Sequence, residues 1–498
     1  MEEMPSGTYL AFDLGAESGR GMLGRLEGGR LALEELHRFP SAMRRVKGTL
    51  RWDVLQIFEE MRECLRRAGK RVDRLDSVST DSWGVDYVLM REGEPFLTVP
   101  FHYRDVRTVG GFDRVFGKVG RDRIFARTGI QFMELNTLYQ LEDDLRRRRE
   151  VLDLSDGFLL IGDYFNCMLG GRGVAEVSLA STTQLFDPRS GGWAYDLADD
   201  VGIPRRLMPE VVASGTRLGE LEGELARESQ LDGVQVVASC SHDTAAAVAA
   251  VPAQAGGGRW AFLSSGTWSL LGLELEEPII SDRSMELNLT NEVGFGGKIR
   301  FLKNIIGLWI LQECRREWES DGVVLSYEEV VKLAEEAAPF RSLIHPNDER
   351  FGRPGGMLGK VALFCRESGQ PEPRSPGEYA RCILESLALL YGKVLEDLEE
   401  VSGWDIGRLH VVGGGCRNHL LNQLTADATG CEVVAGPVEA TAMGNVLVQA
   451  VCLGHLGGLE EIREVVRASS ELGVYFPSVG WEARWVEARE RFRGLERP

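Results

Sequence analysis

At 498 residues the chain is too long for one ordinary hydrophobic core, so two or more domains are expected. A formal net charge of −19 repels phosphate backbones and argues against a nucleic-acid partner. Hydrophobic residues at 43% and charged residues at 27% are the mix of a soluble globular protein, with no apolar run near the ~20 residues of a membrane helix.

In chain order, the acidic start Met1-Glu2-Glu3-Met4-Pro5 lacks the basic and apolar parts of an export signal, so a cytoplasmic chain with no membrane contact is expected. Tyr9-Leu10-Ala11-Phe12 reads as a short strand ending in Asp13-Leu14-Gly15, followed by apolar stretches near Gly21–Leu26 and Leu31–Phe39. This is a β-meander rather than a strand–helix–strand opening. Val54–Ala68 has helical spacing, with Leu55, Phe58, Met61 and Leu65 expected on one face. Ser77–Thr80 and Tyr87–Met90 read as further strands. The basic run Arg146–Arg149 follows Glu142, Asp143 and Asp144, an order that favours intrahelical pairs and a solvated helix end.

The second half repeats the opening. Trp260–Leu263 runs into the small-residue turn Ser264-Ser265-Gly266-Thr267, and Trp268–Leu273 is apolar again, which suggests duplicated domains. The boundary falls near Ala250, dividing the chain into 1–250 and 251–498, with Gly256-Gly257-Gly258 as a loop. Pro376–Glu400 is the longest predicted helix, with Pro376 in its first turn. Leu409–Val412 is a strand broken by Gly413-Gly414-Gly415 before a helix from Asn418. Nine cysteines without any C-x-x-C point to reduced thiols, although Cys365 and Cys382 are near enough in sequence to pair. The histidines form no metal-ligand pair.

Four segments have the composition of a phosphate or sugar site, and each has an ordinary structural alternative. Asp13–Arg20 offers a carboxylate for Mg²⁺ and small residues that let phosphate approach backbone N–H groups, or it is simply a β-turn. In Ser241-His242-Asp243-Thr244, Asp243 is either a general base for a substrate hydroxyl or, with Thr244, a cap for the alanine-rich helix that follows. Ser264–Thr267 and Gly413–Asn418 are turns able to lie against a nucleotide. Gly355–Lys360 only imitates a P-loop, since Pro354 and Val361 stand where that motif needs Gly and Ser or Thr. Trp83 and Tyr87 either line a sugar pocket or belong to the core.

The order of these segments resembles that of the FGGY carbohydrate kinases. The likeness rests on Asp81–Tyr87, Tyr103-Arg104-Asp105, Thr128–Phe132, Asn136–Leu141, Asp163-Tyr164-Phe165, Ser241–Thr244, Leu263–Leu270, Lys303–Trp309, His345–Asp348, Gly413–Asn418 and Ala435–Ala440. It runs from Tyr9 to about Ala450. The resemblance implies an α/β fold of two actin-like, ribonuclease H-like domains facing a central cleft. It also implies transfer of the ATP γ-phosphoryl to the 1-hydroxyl of a ketose. The branch resembled acts on L-rhamnulose; the alternatives are a kinase of another ketose or deoxysugar, such as fuculose or xylulose, and a non-catalytic sugar- or nucleotide-binding actin relative. By carry-over, Asp243 is the proton acceptor and Asp13 lies near Mg²⁺. Ala16, Glu17, Ser18, Gly19, Arg20, Thr267, Gln312 and Gly414 contact ATP. Gly84, His242, Asp243, Thr244 and Asn304 contact the sugar. Glu17 would repel phosphate unless it points away or helps hold Mg²⁺. The implied enzyme is a monomer or small homo-oligomer.

Overall fold

The chain opens with β1 (Gly7–Leu14), β2 (Ser18–Glu27) and β3 (Arg30–Pro40), then α1 (Val54–Gly69) and β4 (Ser77–Ser82). This is a computed structural model, and it describes residues 6–41, 43–96, 99–254 and 256–495. The acidic start Met1–Pro5 lies outside them. Next come α2 (Thr137–Arg147), α3 (Ile161–Met168), β5 (Thr216–Glu220), β6 (Gln235–Ala238) and α4 (Asp243–Ala249). Then follow β7 (Trp260–Ser265), β8 (Trp268–Leu275), β9 (Ile299–Ile306), α5 (Trp309–Ser320), α6 (Pro376–Ser402), β10 (Arg408–Val412), α7 (His419–Thr429) and β11 (Glu432–Ala435). The last elements used below are α8 (Ala440–Cys452), α9 (Leu459–Ser469) and β12 (Gly473–Tyr475).

Two units result. The first contains Met1–Ala255, Glu274–Phe301 and Ala440–Ser470; the second contains Gly256–Leu273, Leu302–Glu439 and Glu471–Pro498. The first unit's sheet has the order β5-β6-β4-β1-β2-β3. The hairpin β1–β2 is antiparallel, β4 lies parallel to β1, β6 parallel to β4, and β5 closes the edge antiparallel. In the second unit the order β9-β8-β7-β10-β11-β12 repeats this scheme. Again a hairpin, β7–β8, is followed outward by two parallel strands and one antiparallel strand. The repeated strand–turn–strand of the sequence is therefore a repeated sheet.

β1 is buried along Tyr9–Leu14, as a strand covered on both faces should be. α8 returns from late in the sequence to cover β1 and β4 beside α4. Gly444 makes that approach possible, because a Cβ there would sit 1.8 Å from the Ala246 carbonyl oxygen. α1 starts at Asp53, whose side chain accepts the Gln56 N–H at 3.2 Å. Its buried face is Val54, Ile57, Met61, Cys64, Leu65 and Ala68. Of the expected stripe Met61 and Leu65 are buried, but its first half is one position off, since Leu55 is 51% exposed and Phe58 only half-buried beside buried Val54 and Ile57. α6 is as long as its apolar periodicity implies, with Ser375 as cap, Pro376 in the first turn and Gly403 left-handed at the end.

The end of α2 departs from the expectation of a solvated surface. Its arginines reach outward, but Glu142, Asp143 and Asp144 are buried. Asp144 accepts from buried Arg107 at 2.5 Å, Arg148 at 2.6 Å and the Tyr87 hydroxyl at 2.6 Å. A carboxylate with three strong donors can be buried, which spacing along one helix does not reveal. All nine cysteines are free, Cys365 and Cys382 included. Among the described residues no helix is long and apolar enough to cross a membrane.

Candidate active site

Three carboxylates converge in the first unit. Asp13 ends β1, and Asp81 is its register partner on parallel β4. Asp243 opens α4, and the residue before it, His242, bridges to Ser82 beside Asp81. Asp81 is fully buried. Its Oδ2 accepts from Asn445 of α8 at 2.6 Å, while Oδ1 has no hydrogen-bond partner. Burial and the neighbouring Asp13 charge raise the Asp81 pKa well above the carboxylate range. Burial, then Asp13, push Asp243 up to about 7, against the hydrogen bonds of Thr244.

The phosphate-sized turn joins β1 to β2. Gly15 N–H donates to the Ser18 carbonyl at 3.1 Å, and Ser41 braces the turn by donating from Oγ to the Gly15 carbonyl at 2.6 Å. Ala16 and Ser18 are half-buried, and Glu17 is the exposed residue of the turn. Gly19 is pressed on Phe39, since a Cβ would come within 2.3 Å of its ring. Arg20, the β2 register partner of Asp13, donates to its carboxylate.

Neither Asp243 nor Thr244 caps α4. The cap is His242, without a side-chain cap bond, and Asp243 is the first helical residue. Asp243 Oδ1 accepts from the Thr244 N–H at 2.5 Å and its hydroxyl at 3.1 Å. The turn before it is anchored by Glu176, a fully buried carboxylate. Glu176 Oε2 accepts the Ser241 N–H and the Ser178 N–H, each at 3.0 Å, and Oε1 accepts the Ser214 hydroxyl at 2.5 Å. Ser178 Oγ in turn accepts the His242 N–H at 3.0 Å.

Gly84 and Trp83 belong to a strained turn. Val85 has φ of 68°, a left-handed conformation that a β-branched residue adopts only under constraint. The constraint is visible. Thr137 Oγ1 donates to the Val85 carbonyl at 2.7 Å, and Asp86 Oδ2 accepts from Trp52 Nε1 at 2.6 Å, Trp83 Nε1 at 3.2 Å and Tyr103 N–H at 3.0 Å. Trp52 stacks on His102 and packs at a tilt against Trp83, with ring centroids 4.1 Å apart in each pair. Trp83 and Tyr87 are thus both buried.

The remaining predicted residues lie in the second unit. The turn Gly266-Thr267 receives the start of α5, with Gly307 N–H and Trp309 N–H donating to the Thr267 carbonyl at 3.1 and 3.2 Å. Gln312, in the first turns of α5, keeps a buried Oε1 without a partner. Asn304 is half-buried on β9. After β10, Gly413 has φ of 85°, and a Cβ on Gly415 would lie 2.1 Å from Ser265 Oγ; one on Gly414 would meet nothing within 4 Å. Of these glycines, Gly414 alone is open to a ligand.

Two family models match the chain. Residues 8–250 match the N-terminal domain of the FGGY family of carbohydrate kinases, and residues 261–453 match its C-terminal domain. Similarity to curated proteins extends over nearly the full length. A rhamnulokinase of Bacteroides thetaiotaomicron is 40% identical across 97% of this chain and 99% of its own. One of Bacillus subtilis is 38% identical across 94% and 95%. The chain belongs to the FGGY family of carbohydrate kinases. As a member of that family it is an ATP-dependent sugar kinase. FGGY architecture is equally plain in solved structures. A xylulose kinase of Lactobacillus acidophilus superposes with a TM-score of 0.80 at 14% identity, over 98% of this chain and 97% of the other. A glycerol kinase of Plasmodium falciparum with ADP gives 0.77 at 13%, again over 98% and 97%.

Sequence reasoning on this FGGY kinase missed Asp81, Glu176, Glu292, Arg300 and Asn445. Asp81 stood inside one of the segments that carry the family likeness, without a role. The others carry no local signal, because what distinguishes them is burial beside a distant partner.

Proposed function

We propose that this kinase transfers the γ-phosphoryl of ATP to the 1-hydroxyl of L-rhamnulose, with Asp243 accepting the hydroxyl proton. The substrate reading is supported by full-length identity of 36–40% to proteins named rhamnulokinase. The observation that carries the mechanism is the state of Asp243. One of its oxygens is taken by Thr244, and its pKa, pushed up to about 7, suits proton transfer near neutral pH. Phosphoryl transfer asks for positioning and charge neutralisation more than for covalent chemistry, so one aimed carboxylate suffices.

The donor set of Asp13 and Asp81, with the orphaned Oδ1 of Asp81, fits Mg²⁺, which takes one or two carboxylates and completes its shell with water and phosphate oxygens. When bound, the ion would neutralise charge on the transferring phosphate oxygens. In this reading Ala16–Gly19 offer backbone N–H groups to phosphate, Arg20 adds a cation, and Thr267, Gln312 and Gly414 contact the nucleotide. Glu17 is the exposed residue of that turn, and in this reading its backbone N–H rather than its carboxylate serves phosphate. Gly84, His242, Thr244 and Asn304 hold the sugar. In this reading residues 1–250 carry sugar binding and the first phosphate turn, and residues 251–498 carry nucleotide binding with Asn304 added to the sugar side, in a cytoplasmic monomer or small homo-oligomer.

The test is ADP release with Mg-ATP against L-rhamnulose, L-fuculose, D-xylulose, L-ribulose and glycerol. Preference for L-rhamnulose is expected. A site built to bond particular hydroxyls discriminates strongly against analogues lacking them, so preference for another sugar would overturn the assignment.

A further inference from the structure

Arg300, on β9, is 0% exposed and lies next to the proposed base. Its guanidinium is held from two sides. Nε and Nη2 donate to the Val293 carbonyl at 3.3 and 3.1 Å, and Nη1 lies 3.1 Å from Glu292 Oε2. Nη2 also donates to His242 Nδ1 at 3.1 Å. A guanidinium has donors and no acceptor, and it stays charged in proteins. Nδ1 is therefore the unprotonated ring nitrogen, and the single imidazole proton sits on Nε2. Glu292 Oε2 is 3.6 Å from Nδ1, beyond hydrogen-bond range, and serves as counter-ion to Arg300.

His242 Nε2 lies 3.4 Å from Asp243 Oδ1, the oxygen that already accepts twice from Thr244. Two hydrogen bonds from Thr244 and a longer contact from His242 thus converge on one oxygen. Oδ2 has no donor among the described residues, and the Asp243 side chain is 31% exposed. We propose that Arg300, with Glu292 as its counter-ion, is a positioning residue for phosphoryl transfer: it fixes His242 as the neutral Nε2–H tautomer, which turns Asp243 so that Oδ2 faces the substrate hydroxyl. This rests on the reading of Asp243 as base. In the step itself the hydroxyl proton passes to Oδ2, the substrate oxygen bonds to the γ-phosphorus, and the electron pair of the broken P–O bond leaves with ADP. Arg300 and His242 neither gain nor lose a proton. The groups facing this pair are Arg300 and Glu292 around His242, and Asp13, Asp81 and Arg300 around Asp243. Burial and the Arg300 charge hold the His242 pKa well below its ordinary value.

The decisive measurement is the ¹⁵N–¹H ring correlation spectrum of the full chain labelled in histidine, with the His242 signals identified by their loss in His242→Gln. A neutral ring protonated on Nε2 is expected from about pH 5 to 8. A ring protonated on Nδ1, or one that becomes imidazolium within that range, would overturn the proposal. In kinetics, Arg300→Lys keeps a charge and a donor without the planar fork, and kcat should fall roughly tenfold at unchanged KM for ATP. Arg300→Met should lose about a hundredfold and add a His242 ionisation to the pH profile of kcat. Equal losses in both, with no added ionisation, would reduce Arg300 to a packing role. Should the Met variant fail to fold, the wild-type spectrum still decides. Asp243→Asn leaves Arg300 and His242 in place. Undiminished turnover there would remove the base reading without touching the tautomer result.

Discussion

At Asp243 two effects act in one direction, since burial and the Asp13 charge both disfavour the ionised form and push its pKa to about 7. A base must be unprotonated, so kcat/KM should rise with pH and level off above about 7, as read from ADP release at saturating Mg-ATP. A flat profile between about pH 6 and 8 would remove Asp243 from the rate equation. Asp243→Asn should lower kcat by about 10²- to 10⁴-fold while KM for both substrates moves little. Glu176 belongs to the same argument one step back, because its Oε2 fixes the Ser241 N–H while its Oε1 is held by the Ser214 hydroxyl. Glu176→Gln replaces one acceptor oxygen with a donor that would face either the Ser178 and Ser241 N–H groups or the Ser214 hydroxyl. A loss of about tenfold in kcat is expected, and full activity would mean that the anchor is redundant. Asp243 was legible because it sits in a contiguous segment with its neighbours in order. Glu176 and Arg300 were not, because a buried charge is recognised only by what surrounds it.

The elements give a sharper contrast at the glycine turn after β10. Gly415 is fixed by packing on Ser265, whereas Gly414 has open space where a Cβ would go and is not left-handed. Gly415→Ala should therefore lower the thermal midpoint, since Ser265 or the turn must shift. Gly414→Ala should leave the midpoint nearly unchanged and raise KM for ATP. The pair of melting curves and ATP titrations checks both, and an unaltered KM in Gly414→Ala would take the nucleotide away from this turn. The strand–glycine–helix pattern was readable here because glycine, a preceding apolar strand and Asn418 as cap all point to one local structure. The sequence did not say which of three glycines is needed for packing and which is open. The same limit explains α1, where periodicity identified the helix but Leu55, at the edge of the stripe, fell on the solvent side. It also explains α2, whose buried Asp144 depends on Arg107 and Tyr87 from elsewhere in the chain.

Across the whole molecule, the duplicated sheet was legible because strand, small-residue turn and strand recur with similar composition. The return of α8 to the first unit was not, because its apolar residues fit either sheet; Gly444, Asn445 and Gln449 match it to β1, β4 and α4. The fold of the first unit also buries acids whose protonation bears on stability. Asp86 is raised to about 6 and Asp243 to about 7, and Asp163 and Glu176 are raised as well, each chiefly by burial. A carboxyl with a raised folded pKa binds protons more tightly folded than unfolded. Its contribution to stability therefore falls as pH climbs from about 4 toward the folded value. Buried His102 and His242 have lowered pKa values and work in the opposite sense, but only below about 6.5, where the unfolded histidines begin to protonate. Above that point the acids act unopposed, so the thermal midpoint of the nucleotide-free chain should be lower at about pH 8 than at about pH 6.5. Asp243→Asn removes one ionised acid from this set and should be more stable than wild type at the higher pH, by on the order of 1 kcal/mol after allowing for its partial exposure. That gain should shrink toward zero by about pH 5, where the wild-type carboxyl is itself neutral. A variant inactive and no more stable at pH 8 would mean that solvent reaching the site already relieves the charge. A variant inactive and more stable would tie the cost of keeping Asp243 ionised directly to catalysis.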